Sequence, residues 1–162
     1  MGFVAGDLSA LIMRRLVNGT AVAWRGQGIL ILGPSGSGKS DLTLRLIDSG
    51  ATLIADDLVE MRRDGEQLLL SFPPEGPADL KGKMEIKGLG IMSVAVAPPG
   101  IPLALVVQAT PPADVELIPE SLQSEWLGLQ VTTLRIHLLE PSAPAKLRLA
   151  LAKLTRSIIP PS

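Results

Sequence analysis

The sequence predicts an α/β domain, a mixed β-sheet with flanking helices built around one glycine-rich loop, and three observations predict it. The first is an aliphatic run, Ile29-Leu30-Ile31-Leu32, that feeds Gly33-Pro34-Ser35-Gly36-Ser37-Gly38-Lys39-Ser40 and then a helical pattern. The second is a pair of further apolar strands, at 51–55 and 101–107, separated from the first by that helix and by irregular stretches. The third is a closing helical pattern over 143–154, with Leu147, Leu151 and Leu154 on one stripe and Pro141 and Pro144 at its head.

Composition bounds the rest. The chain has 162 residues, enough for one domain with a sizeable core, and residues 1–162 are expected to form a single domain. Hydrophobic residues make up 46% and aromatic ones 2%, so the core must be Leu, Ile, Val and Ala. Fifteen basic against sixteen acidic residues give a net charge of −1, which points away from a nucleic-acid or membrane surface. The absence of cysteine excludes disulfides, thiolate metal sites and thiol nucleophiles together. No apolar run approaches the roughly 20 residues of a membrane span. The start has no basic-then-apolar order, and Gly6 stands where a myristoylation motif wants Ser or Thr. A cytoplasmic protein is expected.

In chain order, residues 7–17 are expected as a short helix, capped by Asp7 with Leu8, Leu11 and Ile12 inward, or else as an unstructured lead-in. Residues 20–24 read as a strand, and Arg25-Gly26-Gln27-Gly28 as the turn that pairs it with the strand entering the loop. After the loop, Leu42, Leu46 and Ile47 share one helical face, and Gly50 stops the helix. Residues 51–57 form a short strand ending in Asp56 and Asp57. Residues 58–63 and 67–72 then pair around Asp64-Gly65-Glu66, and 72–77 is irregular. Met84-Glu85-Ile86-Lys87-Gly88-Leu89-Gly90-Ile91 sets two glycines beside a carboxylate and a lysine, a pattern of backbone lying close to a ligand. Strands follow at 101–107 and 129–139; in the latter Arg135 and His137 share one face. His137, the single histidine, reads as a solvated strand residue and leaves no His-based metal site. No repeat, linker or low-complexity tract interrupts the chain.

The loop carries the chemistry. Gly33, Gly38, Lys39 and Ser40 fit the G-x-x-x-x-G-K-[ST] spacing, in which a curled backbone turns successive N–H groups toward phosphate oxygens. Lys39 supplies a cation for the β- and γ-phosphates, Ser40 a hydroxyl for Mg²⁺, and the helix behind them the positive end of its dipole. Residues 33–40 are therefore expected to bind a nucleotide phosphate. Asp56 and Asp57 lie 17 and 18 residues past Lys39. Phosphoryl transfer needs a carboxylate near the metal and often another to take the proton of an attacking hydroxyl. Neighbouring strand residues point to opposite faces unless the chain bends, so both roles are open to the pair. Glu85 is a candidate second metal ligand.

At these three stretches, 33–41, 53–57 and 84–91, the sequence resembles the catalytic domain of HPr kinase/phosphorylase, in its short single-domain form. The usual signature has Arg where this chain has Lys87. The resemblance covers about residues 15–155. It implies an ATP- and Mg²⁺-dependent serine kinase acting on the phosphocarrier protein HPr, with a fold similar to phosphoenolpyruvate carboxykinase. It implies that Gly33, Pro34, Ser35, Gly36, Ser37, Gly38, Lys39 and Ser40 hold ATP, and that Ser40 and Glu85 coordinate Mg²⁺. Asp57 would be the base toward the HPr serine, with Asp56 beside it near the metal. Hexameric assembly is implied as well.

Three departures accompany the resemblance. Asn18 stands where the family has a catalytic His, Leu117 near the place of a catalytic Arg, and Pro141-Ser142-Ala143-Pro144 where an Arg-containing loop serves phosphorolysis. Missing guanidinium groups remove bidentate phosphate contacts, so kinase activity without phosphorylase activity is the expectation. A regulatory module that binds nucleotide and HPr or a sensor kinase without transfer is the alternative, and a small-molecule kinase is a third reading.

Overall fold

The computed structural model describes residues 13–120 and 122–158. In order they form β1 (Arg14–Asn18), β2 (Thr20–Trp24), β3 (Gln27–Leu32), α1 (Lys39–Asp48), β4 (Thr52–Ala55), β5 (Leu58–Asp64) and β6 (Gln67–Ser71). Then come β7 (Lys83–Ile86), β8 (Gly90–Ser93), β9 (Ile101–Ala109), β10 (Gln123–Trp126), β11 (Leu129–Ile136) and α2 (Ala143–Ile158). Nine strands make one curled, mixed sheet in the order β1-β5-β6-β9-β3-β2-β4, with β11 also on β9 and β10 on β11. The mixed α/β architecture is the one the sequence predicts.

β9 joins the two halves of that sheet. Its first residues, Ile101 and Pro102, pair antiparallel with Leu70 and Leu69 of β6, while Val106 to Ala109 run parallel to β11. Its other edge runs parallel to β3. Strands in such a position are buried on both faces and read as unbroken aliphatic runs rather than alternations. Ile29, Ile31, Leu105 and Val107 accordingly meet Leu42, Leu46, Leu147 and Leu151 of the helices, whereas Leu30 and Val106 pack into a second core with Val59, Met61 and Leu70. The loop 33–38 thus leaves the carboxyl end of a central strand, where α/β sheets collect their ligands.

Local chemistry explains the hairpins. Trp24 pairs with Gln27, leaving Arg25 and Gly26 as a two-residue turn with φ of 50° and 78°. That hand matches the twist of the flanking strands. Gly65 takes φ 62° in the β5–β6 turn.

Two expectations need correction. Residues 14–18 are a strand, not the end of a helix, and residues 7–12 lie outside the described residues. β1 pairs antiparallel with β5; Val17 enters the core, Arg14 Nε donates to Glu60 at 2.9 Å, and the Arg15 guanidinium stacks 4.7 Å from the Trp126 ring. Those partners lie far along the chain, and they outweigh a weak helical spacing. Second, β11 stops at Ile136, so His137 is half-buried in the following turn. β10 is a strand for which the sequence raises no expectation, since Gln-Ser-Glu-Trp carries almost no strand pattern. Gly88 and Gly90 shape the β7–β8 turn at φ 92° and 88°.

Candidate active site

Close packing dictates the glycines at both ends of the loop. A Cβ on Gly33 would stand 2.6 Å from Ala109 Cβ and 2.7 Å from Ser37 Oγ. Gly38 has φ 101°, a conformation L side chains rarely adopt, and its Cβ would stand 2.7 Å from Leu139 Cδ2. Between them Ser37 N–H donates to Pro34 O at 3.1 Å, and Leu42 N–H donates to Gly38 O at 2.9 Å as α1 begins. Lys39 bends back over the loop: its ammonium donates to Gly33 O and, at 3.3 Å, to Pro34 O. Thr43 Oγ1 donates to Lys39 O at 2.7 Å, which holds the first turn. Ser37 Oγ is buried and has no protein partner among the described residues. Above the loop opens a cavity of about 380 Å³, lined by Pro34, Ser35, Gly36, Gly38, Lys39 and Ser40 together with Asp57, Ile86, Lys87 and Leu139.

Asp56 and Asp57 sit where β4 gives way to β5. Leu58 N–H donates to Asp56 O at 2.9 Å, closing a three-residue turn with Asp57 at φ 68° in its centre. A γ-turn of that hand is rare and strained. Gly19 N–H, donating to Asp57 O at 3.0 Å, and Thr20 Oγ1, donating to Asp56 Oδ1 at 2.9 Å, secure it from the β1–β2 junction. The bend allows both carboxylates to line a second cavity of about 240 Å³, shared with Phe72, Pro73, Leu80, Met84, Glu85 and Ile91. Asp57 also lines the first cavity. It is the residue common to the two.

Burial pushes the Asp56 carboxyl above its ordinary value and the neighbouring Asp57 adds to the rise, while the Thr20 hydroxyl and Lys39 pull it back. A carboxyl whose folded-state pKa is raised stabilises the fold below its unfolded pKa, and that contribution is lost as pH rises through the folded-state value. Asp56→Asn is therefore expected to melt above the wild type near neutral pH and to lose that advantage toward pH 4. Melting temperatures across that range check it; parallel curves refute it.

Other residues sort themselves around this centre. Ser40 lines the loop cavity and Glu85 the second one. Among the described residues, no three acidic or histidine side chains converge as a metal cage. Asn18 ends β1 opposite Leu58, one residue beyond Asp57. Leu117 is 96% exposed, remote from any packed surface. Pro141 and Ser142 precede α2, and Ala143 and Pro144 open it. Sequence reasoning did not single out Thr20, which donates to Asp56, or Leu139, which lines the loop cavity. Thr20 had a signal in being the polar residue of an otherwise apolar strand. Leu139 had none, since its approach to Gly38 comes from far along the chain.

The family model for the HPr serine kinase C-terminal domain matches residues 9–97, more than half of the chain. The chain belongs to that family. The HPr kinase/phosphorylase of Bacillus subtilis is 34% identical over 128 residues, covering 79% of this chain and 40% of that protein. The HPr kinase/phosphorylase of Lactiplantibacillus plantarum is 44% identical over 84 residues, covering 52% of this chain and 26% of that one. Among solved structures, the Hpr(Ser) kinase/phosphatase from Coxiella burnetii superposes with a TM-score of 0.72 at 25% identity, over 90% of this chain and 98% of that chain. This chain spans about two fifths or less of the length of these curated relatives.

Proposed function

We propose that this domain is an ATP-dependent protein-serine kinase that phosphorylates an HPr-type phosphocarrier protein. The observation that carries the reading is Asp57, which walls both the phosphate-loop cavity and the neighbouring one. A base in that position faces the nucleotide on one side and an acceptor hydroxyl on the other. The backbone N–H groups of Ser35, Gly36 and Gly38 and the Lys39 ammonium hold the phosphates, and the tight packing at Gly33 and Gly38 fixes the course of the loop. The cavity over the loop has the size of a small-molecule site.

The donors suit Mg²⁺, which prefers hard oxygens and keeps several waters beside one or two protein ligands. Ser40 and Glu85 would hold it with Asp56 near, and bound Mg²⁺ would supply positive charge for the transferring phosphoryl group. Asp57 orients the serine hydroxyl and takes its proton. Thr20 keeps the Asp56 carboxylate turned to the site. Phosphorolysis is not part of the proposal, because 141–144 offers no guanidinium.

The same reading takes the chain as one catalytic domain of the phosphoenolpyruvate carboxykinase-like, P-loop-containing type. It works in the cytoplasm, where ATP is supplied, and self-associates as the family's hexamers do. Radiolabel transfer from γ-labelled ATP to a serine of purified HPr, with Mg²⁺, tests it. Label on serine is expected. No label with ATP binding intact would instead make the domain a nucleotide-dependent binding module.

A further inference from the structure

Leu139 is 49% exposed, whereas Leu138 beside it is 1% exposed. The exposed side chain forms part of the loop cavity, pressed against Gly38 and sharing the cavity wall with Leu44 of α1 and Ile86 of β7. These are the branched aliphatic side chains of a lining otherwise made of glycine, proline, serine and charged groups. The backbone that presents Leu139 is held from outside its own connection. Arg45 Nη1 donates to Glu140 O at 3.0 Å and Nη2 to Leu138 O, so one guanidinium grips the carbonyls on both sides of Leu139. Asp41 in turn accepts from Arg45 Nε at 2.9 Å, and Lys146 pairs with Glu140. Arg45 and Asp41 belong to α1, the helix that begins at Lys39. The planar, pre-organised fork of Arg is suited to such bridging, and a Lys ammonium is not. The phosphate loop and the Leu139 wall are therefore carried on one rigid support.

We propose that Leu139, with Leu44 and Ile86, is the apolar wall on which the nucleobase rests, and that Arg45 is the positioning residue that keeps it in register with the phosphate loop. The proposal rests on the reading of residues 33–40 as a nucleotide phosphate site. A base has a large apolar face, and aliphatic contact rewards its burial. The phosphates, held by backbone N–H groups and Lys39, gain nothing from Leu139.

Calorimetry with Mg·ATP and with Mg·tripolyphosphate separates the two ends of the ligand. Leu139→Ala is expected to weaken ATP about tenfold, the scale of lost apolar contact in a pocket, and to leave tripolyphosphate within about twofold. Leu139→Met is expected to restore ATP affinity. Arg45→Lys is expected to shift the ATP-to-tripolyphosphate ratio in the same direction as Leu139→Ala, with melting curves confirming a folded protein. ATP affinity unchanged in Leu139→Ala, or both ligands weakened equally, would overturn the wall. A wild type that binds neither ligand would remove the phosphate-site reading itself, and the wall with it, before any variant is made.

Discussion

Asp57→Asn is expected to lower phosphoryl transfer to HPr by about 10³-fold, the usual range for loss of a general base, while ATP binding stays close to wild type. The substitution isolates the proton. Asn keeps the side chain's size and its acceptor oxygen but cannot take a proton near neutral pH. It also keeps the backbone. Asp57 sits at φ 68° in a three-residue turn held by Gly19 and Leu58. Asn, with Asp, is among the few residues other than glycine that adopt that region readily. A β-branched or bulky replacement would confound lost chemistry with lost geometry. Asp57→Gly gives the complementary result: strain of about 1–3 kcal/mol is relieved, so the protein melts higher while transfer stays as low as in Asp57→Asn. Single-turnover kinetics with γ-labelled ATP read the first effect and melting curves the second. A Asp57→Asn rate within tenfold of wild type would take the base role away from this residue.

That turn marks where the sequence stops being legible. The loop 33–40 stands out in the sequence because its parts are contiguous: strand, glycines, Lys39, Ser40 and helix occupy one stretch, and each constrains the next. Asp56 and Asp57 could be found by proximity, but strand alternation would have sent them to opposite faces. The bend that sets both on one cavity depends on Gly19 N–H and Thr20 Oγ1, which arrive from another strand. The same logic explains the error at 14–17. Apolar spacing there is compatible with either period, and the choice is made by β5, by Glu60 between Arg14 and Arg62, and by Trp126 under Arg15. Arg45 illustrates the limit most sharply. Its i,i+4 pairing with Asp41 is visible in the sequence and reads as an ordinary surface pair. Its grip on Leu138 and Glu140 crosses more than 90 residues, and no local pattern announces it. The two glycines at 88 and 90 carry a hairpin turn at positive φ, which spacing alone does not show.

Lys39→Ala should act on the opposite side of the reaction from Asp57→Asn, and the contrast between them is the stronger test. The ammonium is placed over the loop by Gly33 O and Pro34 O, beside the N-terminus of α1. Its loss is expected to weaken Mg·ATP binding and to lower transfer by about 10²–10³-fold, as for other charged groups that stabilise a transferring phosphoryl group. Some stability goes with it, because a charged donor's hydrogen bond contributes about 1.5–3 kcal/mol, less where, as at Pro34 O, the bond is exposed. Lys39→Arg should not rescue it. The loop closes on Gly33, where even a Cβ meets Ala109 and Ser37 within 2.7 Å, and a planar fork needs more room than a single ammonium. Lys39→Ala should then raise the Kd for ATP and lower kcat together, whereas Asp57→Asn should lower kcat alone. If both variants change only kcat, the cation does not meet ground-state phosphates. If Lys39→Ala changes neither, residues 33–40 are not where the nucleotide binds, however well their spacing fits.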